Sequence, residues 1–233
     1  MKKVFIFALL SLSQSIFAQN TPRKSSLLEY TPQTGGKQNI RIFDGDMSTE
    51  LIGNAVLDTE TLLKIDFGSD AHSFVESKLA VGFGYKVLGE KGLIIGQVAL
   101  LQAGQEVKNS EISGLALGPK FVIFLDDEES SYVSNSINFG MGKNKNMISY
   151  NLKARYCIPD SKWNLEADFR EMHNTQEGDS FYRSELAVGC VYELGKKLEL
   201  GPSVQWQRNE NYSNTETSDI FAGVTMRVLF YEN

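Results

Sequence analysis

The 233-residue chain is 42% hydrophobic and 11% aromatic, with 20 glycines, only 5 prolines and a mean hydropathy of −0.23, values that exclude a bundle of membrane-spanning helices. Its formal charge of −6 excludes the basic surface that binds nucleic acid, so no nucleic-acid partner is expected. The length suits one all-β domain.

Residues 1–18 open with Lys2 and Lys3, continue through an apolar run from Val4 to Leu12, and reach a small residue at Ala18. This is the pattern of a secretory signal peptide cleaved after Ala18, the run being too short to span a bilayer. Removal of the two lysines leaves 21 basic and 29 acidic residues, a charge of −8. Residues 19–36, which include Pro22, Pro32, Gly35 and Gly36, read as an irregular periplasmic leader, with the barrel over residues 37–233.

Three weak strand signals follow, around Gln38 to Phe43, Thr49 to Leu57 and Thr61 to Phe67. Beyond them the period is two, the signature of strands with one apolar and one polar face. Leu79, Val81, Phe83, Tyr85 and Val87 alternate with Lys78, Ala80, Gly82, Gly84 and Lys86, and a more ambiguous run covers Leu93 to Ala103. Leu115, Leu117, Phe121, Ile123 and Leu125 come next, then Val133, Ile137, Phe139 and Met141. In MISYNLKARYC, Ile148, Tyr150, Leu152, Ala154 and Tyr156 oppose Ser149, Asn151, Lys153, Arg155 and Cys157. Trp163, Leu165, Ala167 and Phe169 oppose Asn164, Glu166, Asp168 and Arg170; Tyr182, Leu186, Val188 and Tyr192 oppose Arg183, Glu185, Gly189 and Glu193. The last two strands run Leu198 to Gln207 and Ile220 to Phe230, the latter with Arg227 on its polar side. The count is about twelve, with ten as the fallback. LALGPKF and LELGPSV form a short internal echo whose prolines read as bulges or strand ends.

A soluble barrel would bury the apolar face, whereas a membrane barrel turns it to lipid. Aromatics on that face gather near strand ends: Tyr156, Trp163, Tyr192 and Phe230 at one end, Tyr150, Phe169, Tyr182 and Trp206 at the other, as two interfacial girdles would. The polar face carries Lys78, Lys86, Lys153, Arg155, Glu166, Asp168, Arg170, Arg183, Glu185 and Arg227, which become lumen charges. With its signal peptide, girdled alternating strands and the near-terminal aromatic of MRVLFYEN, the chain resembles the Gram-negative outer-membrane β-barrel class, of generic porin-like type. The resemblance implies an antiparallel up-and-down transmembrane barrel, outer-membrane location, contact with membrane lipid and lipopolysaccharide, and passage through the barrel-insertion machinery. If Phe230 ends at the periplasm, LGKK, PDSK, DDEES and LGEKG are periplasmic turns, and HNTQEGDS and NENYSNTETSD are outer loops.

A four-residue PDSK loop pairs Tyr156 with Leu165 and Leu152 with Phe169 outside, and sets Arg155 opposite Glu166 and Lys153 opposite Asp168 inside, so two cross-strand ion pairs are expected. The same register turns Cys157 inward and Cys190 outward, one strand apart, so both thiols should be free. Catalytic signals are poor. Lipid deacylases and phospholipases of this class need a His and a Ser close together on the lipid face. Asn211 stands where that His should precede Ser213 and Asn214, His72 adjoins Ser73 directly, and His173 is followed by Asn174 and Thr175. Asp44 with Asp46, and Asp126 to Glu129, lack calcium-loop spacing and read as solvated turns. No cofactor or metal is expected. The function expected is a narrow passive channel for small solutes. The alternatives are a closed structural barrel acting through its outer loops and, third, a lipid-active hydrolase.

Overall fold

The computed structural model describes residues 26–35, 38–51, 53–66, 73–89, 91–103, 112–127, 129–142, 145–175, 181–195, 198–210 and 216–230. Twelve strands follow one another: β1 Ser26–Gly35, β2 Gln38–Glu50, β3 Ala55–Asp66, β4 Ser73–Val87, β5 Gly92–Ala103 and β6 Ile112–Phe124. The second half is β7 Tyr132–Gly142, β8 Lys145–Cys157, β9 Trp163–Thr175, β10 Phe181–Gly195, β11 Leu198–Glu210 and β12 Glu216–Phe230. Each pairs antiparallel with its sequence neighbours, and β1 pairs with β12, so the sheet closes into an up-and-down barrel without an edge. Closure matters because an open edge would leave backbone groups that lipid cannot satisfy.

The count matches the sequence expectation, but two of its parts do not. Residues 26–35 of the expected leader are β1, paired with β2 on one side and β12 on the other. The candidate at Thr49 to Leu57 straddles the turn between β2 and β3, where Leu51 donates its amide to the Ala55 carbonyl at 2.8 Å. One missed strand and one false strand cancel. Pro32 hid β1: a residue without an amide hydrogen reads as irregular, yet it is tolerated here because the β1–β12 ladder simply skips it. The signal peptide and residues 19–25 lie outside the described residues.

The barrel is inside-out relative to a soluble one. Phe83, Tyr85, Leu88, Leu100, Leu115, Leu117, Phe139, Leu165 and Ile220 are exposed, whereas Lys64, Lys78, Asp58, Glu60, Lys120, Glu185, Glu199 and Arg227 are buried. The ambiguous Leu93 to Ala103 run is apolar on both faces. Leu93 and Ile95 turn inward and pack with Val56, Val122 and Phe124, while Ile94, Val98 and Leu100 turn outward. Gly82 and Gly84 make room for this inner cluster: a Cβ on either would collide with Ile95.

The two Gly-Pro copies are neither bulges nor strand ends. Pro119 lies within β6 and Pro202 within β11, each in unbroken register with its neighbours. Each ladder skips the proline on one side only, between β6 and β7 and between β10 and β11. There the preceding glycine closes on the next strand: a Cβ at Gly118 would overlap the Ile137 carbonyl oxygen, and one at Gly201 the Cys190 carbonyl oxygen.

Candidate functional site

The β8–β9 register is the one the short loop dictates, with Tyr156 opposite Leu165, Leu152 opposite Phe169, Arg155 opposite Glu166 and Lys153 opposite Asp168. Arg155 and Glu166 form the expected ion pair, 2.8 Å apart. The second pair needs correction. Lys153 is 2.9 Å from Asp44 on β2, and Asp168 is bound by Arg170 two residues along its own strand. β2 and β8 are six strands apart in either direction around the ring, so Lys153 crosses the full lumen to its partner. A carboxylate flanked by two cations from the far wall outcompetes a single cross-strand contact.

Other ties also reach past the neighbouring strand. Lys64 of β3 pairs with Glu185 of β10, and Lys120 of β6 is 3.1 Å from both Asp46 of β2 and Asp58 of β3. Asp58 is fully buried and also accepts from Gln97 at 2.9 Å and Ser48 at 2.8 Å. Nearer the end where β8 turns into β9, Glu199 of β11 accepts from Arg155 at 2.9 Å, Arg227 at 2.9 Å and Asn164 at 3.1 Å. Arg227 binds Glu166 as well. Lys78 sits 2.9 Å from Glu60, and Lys86 pairs with Glu50 and lies 3.8 Å from Glu129. Charges buried in this way need partners, since a lone one would carry a desolvation cost of several kcal/mol.

Two cavities lie between these groups among the described residues. The larger, about 90 Å³, has acids Asp44, Asp46, Glu166, Asp168 and Glu185 matched in number by bases Lys64, Lys153, Arg155, Arg170 and Arg227. The smaller, about 20 Å³, is lined by Glu60, Glu171, Glu185, Lys78, Arg170 and Arg183 among others. Arg170 and Glu185 belong to both walls and so separate the two spaces. The lumen can hold water and small polar groups, and its paired charges are balanced.

Of the charges expected in the lumen, Lys78, Lys86, Arg155, Arg183, Glu185 and Arg227 are buried, and Lys153, Glu166, Asp168 and Arg170 line the larger cavity. Asp44, Asp46, Asp58, Glu60, Lys64, Lys120 and Glu199 were missed. Asp44 and Asp46 are not in a solvated turn; they lie inside β2 on the lumen wall. Their signal was present: Asp44, Asp46, Ser48 and Glu50 recur every second residue, as do Asp58 and Glu60, before Leu62 interrupts the pattern and Lys64 resumes it.

On the outer face Trp163 and Tyr192 pack edge to face with centroids 4.9 Å apart, and Tyr150 and Phe169 do so at 6.1 Å. Tyr156 is exposed there, Tyr182 donates to Glu171 at 2.8 Å, and Trp206 donates to Ser218 at 2.8 Å. The Phe230 side chain lies outside the described residues. His173 is exposed and packs its ring on Tyr182 at 4.5 Å. His72, Asn211, Ser213 and Asn214 lie outside the described residues. Cys157 and Cys190 are both free.

The twelve-stranded barrel also aligns with a set of solved structures. The chain aligns with an outer membrane channel from Pseudomonas putida F1 at a TM-score of 0.57 and 12% identity, over 91% of this chain and 98% of that one. The outer membrane channel DcaP of Acinetobacter baumannii gives a TM-score of 0.53 at 5% identity, covering 88% and 96%. The NanC porin gives 0.53 at 7% identity, covering 87% and 98%.

The fold is that of a porin-like outer-membrane β-barrel. At these identities the likeness is one of fold. No protein-family model matches the chain, and no curated protein matches it in sequence.

Proposed function

We propose that this barrel resides in the outer membrane and is a narrow passive channel for small polar solutes. The observation that carries this is the lumen itself: a column of ionised side chains around a cavity of about 90 Å³, enclosed by a wall whose outer face is apolar. A barrel of this strand number is wider than the eight-stranded kind that side chains fill, and here paired charges take up much of the extra width while the apolar cluster around Ile95 packs one side. Charge at a constriction governs which ions pass. The channel function of three structurally similar proteins supports the same conclusion.

A closed structural barrel is the second reading, favoured by the ties from Lys153 to Asp44 and from Lys64 to Glu185 across the lumen. A lipid hydrolase is disfavoured. Such an enzyme needs a hydroxyl nucleophile beside its base, whereas His173 meets the Tyr182 ring edge to face at 4.5 Å and the Tyr182 hydroxyl donates to Glu171.

Recording from refolded protein in a planar bilayer separates the first two. Discrete conductance steps in symmetric potassium chloride support the channel; an electrically silent protein that shows the gel shift of a folded barrel is the closed alternative.

A further inference from the structure

The Lys153 and Arg170 head groups converge on one atom. Asp44 Oδ2 accepts from Lys153 Nζ at 2.9 Å and from an Arg170 terminal nitrogen at 2.9 Å. The two bases belong to adjacent strands β8 and β9, and the acid comes from β2 on the opposite wall. The other oxygen, Asp44 Oδ1, is buried and has no hydrogen-bond partner. Asp44 is therefore held by one oxygen only.

We propose that Lys153 and Arg170 form a carboxylate-binding cradle in the lumen, that Asp44 occupies it from across the barrel as a latch, and that a small carboxylate solute opens the lumen by replacing Asp44. This rests on the channel function proposed above. An ammonium beside a guanidinium is a strong receptor for a carboxylate. The exchange is like for like, because the incoming group makes the same two charge-assisted hydrogen bonds that Asp44 makes. Arg170 lines both cavities, so its bridge to Asp44 lies across the way between them, and release of Asp44 clears that way while the guanidinium stays on its own wall. Once Asp44 is released it faces the larger cavity, where water entering with the solute hydrates it. Arg170 keeps Asp168 as a partner throughout, which holds its guanidinium in place as one side of the cradle. An internal competitor lowers the apparent affinity for an external ligand by the fraction of time the site is free.

The test uses the full chain refolded in detergent micelles, with acetate as the probe, read by saturation-transfer NMR, and conductance of the same preparations in planar bilayers. Asp44→Asn removes the internal carboxylate. The variant is expected to bind acetate about tenfold more tightly than the wild type, the gain that follows when a site occupied most of the time is vacated, and to conduct more. Unchanged acetate affinity with wild-type conductance overturns the latch and leaves the channel function intact. Tighter acetate binding with no conductance in either form upholds the cradle but overturns both its role in opening and the channel function. Should Asp44→Asn fail to fold on gels, Arg170→Gln removes the cradle instead: it should conduct more than wild type yet bind acetate more weakly, and undiminished acetate binding overturns the proposal.

Discussion

Arg155 and Glu166 face each other directly across β8 and β9, and their 2.8 Å ion pair is one link in a ring that continues through Arg227 and Glu199. Two guanidiniums share two carboxylates, so no member can be removed without leaving a charge on its neighbours. Glu166→Gln removes one of the two carboxylates that Arg155 and Arg227 share and makes this part of the lumen more basic. The expected outcome is a reversal potential shifted toward anion preference in a salt gradient, larger at low ionic strength, where the screening length is about 30 Å at 0.01 M against about 10 Å at 0.1 M. A conducting variant with unaltered ion preference would remove this ring from the permeation path.

The outward apolar belt predicts where the protein goes. It should fractionate with outer membranes and migrate differently on gels with and without boiling, because a closed barrel resists detergent until heated. Recovery as soluble periplasmic protein would sink the membrane assignment.

At Gly118 and Gly201 the neighbouring strand comes too close for a Cβ, each time with a backbone carbonyl that cannot swing aside. Gly118→Ala and Gly201→Ala are each expected to lose about 1–3 kcal/mol of stability, the usual range for overpacking, measured as a lower urea midpoint in lipid vesicles. Gly195→Ala, where an added Cβ meets nothing within 4 Å, is the control.

Both thiols are single. Cys157 points inward, its Sγ 3.4 Å from the Ser130 carbonyl, and Cys190 points outward. Mass spectrometry of unreduced peptides should find no Cys157–Cys190 link. A detergent-soluble maleimide should label Cys190 faster than Cys157; equal rates would contradict the facing of the strands.

The turn between β6 and β7 is built on Asp126, whose carboxylate accepts from the Ser130 amide at 2.8 Å, the Ser130 hydroxyl at 2.7 Å and the Ser131 amide at 2.7 Å. Burial disfavours its charge, but the hydrogen bonds from Ser131 and Ser130 outweigh that and hold the carboxyl below its ordinary value of 3.8. A depressed folded-state value means that the turn's contribution is complete above about pH 4 and is lost as pH falls through the lower folded value. The protection of the Ser130 and Ser131 amides, measured against their intrinsic exchange rates at each pH, should fall on acidification below pH 4, and in Asp126→Asn it should already be low at neutral pH.

The faces of β8 to β12 were legible because polar and apolar residues alternate there with little interruption, and a four-residue loop left one register open to β8 and β9. The cross-lumen partners were not legible. Cross-strand reasoning sees only adjacent strands, so it gave Lys153 the nearest acid, Asp168, when the side chain goes to Asp44 on the opposite wall. Finding that partner requires knowing which strands stand opposite after closure, and closure depends on β1, the strand Pro32 disguised. The inner apolar cluster around Ile95 blurred β5 for a related reason: part of the lumen on that side is packed with hydrocarbon, so the face test loses its contrast.

The seam between β1 and β12 joins the two ends of the described chain, with Ser26 beside Phe230 and Tyr30 beside Met226. Every other pairing closes a short hairpin, whereas this one closes the largest loop available, and the entropy of doing so rises only slowly, by about 0.6 kcal/mol for each doubling of loop length. Assembly therefore has a built-in order: eleven hairpin contacts can zip locally, and the seam is the step that must wait for both ends to be present. Until it forms, the sheet has two sticky margins able to recruit a stranger's strand. A chain cut short before β12 would carry β1 and β11 as those margins, and its fate would be aggregation or proteolysis, whatever the state of its lumen.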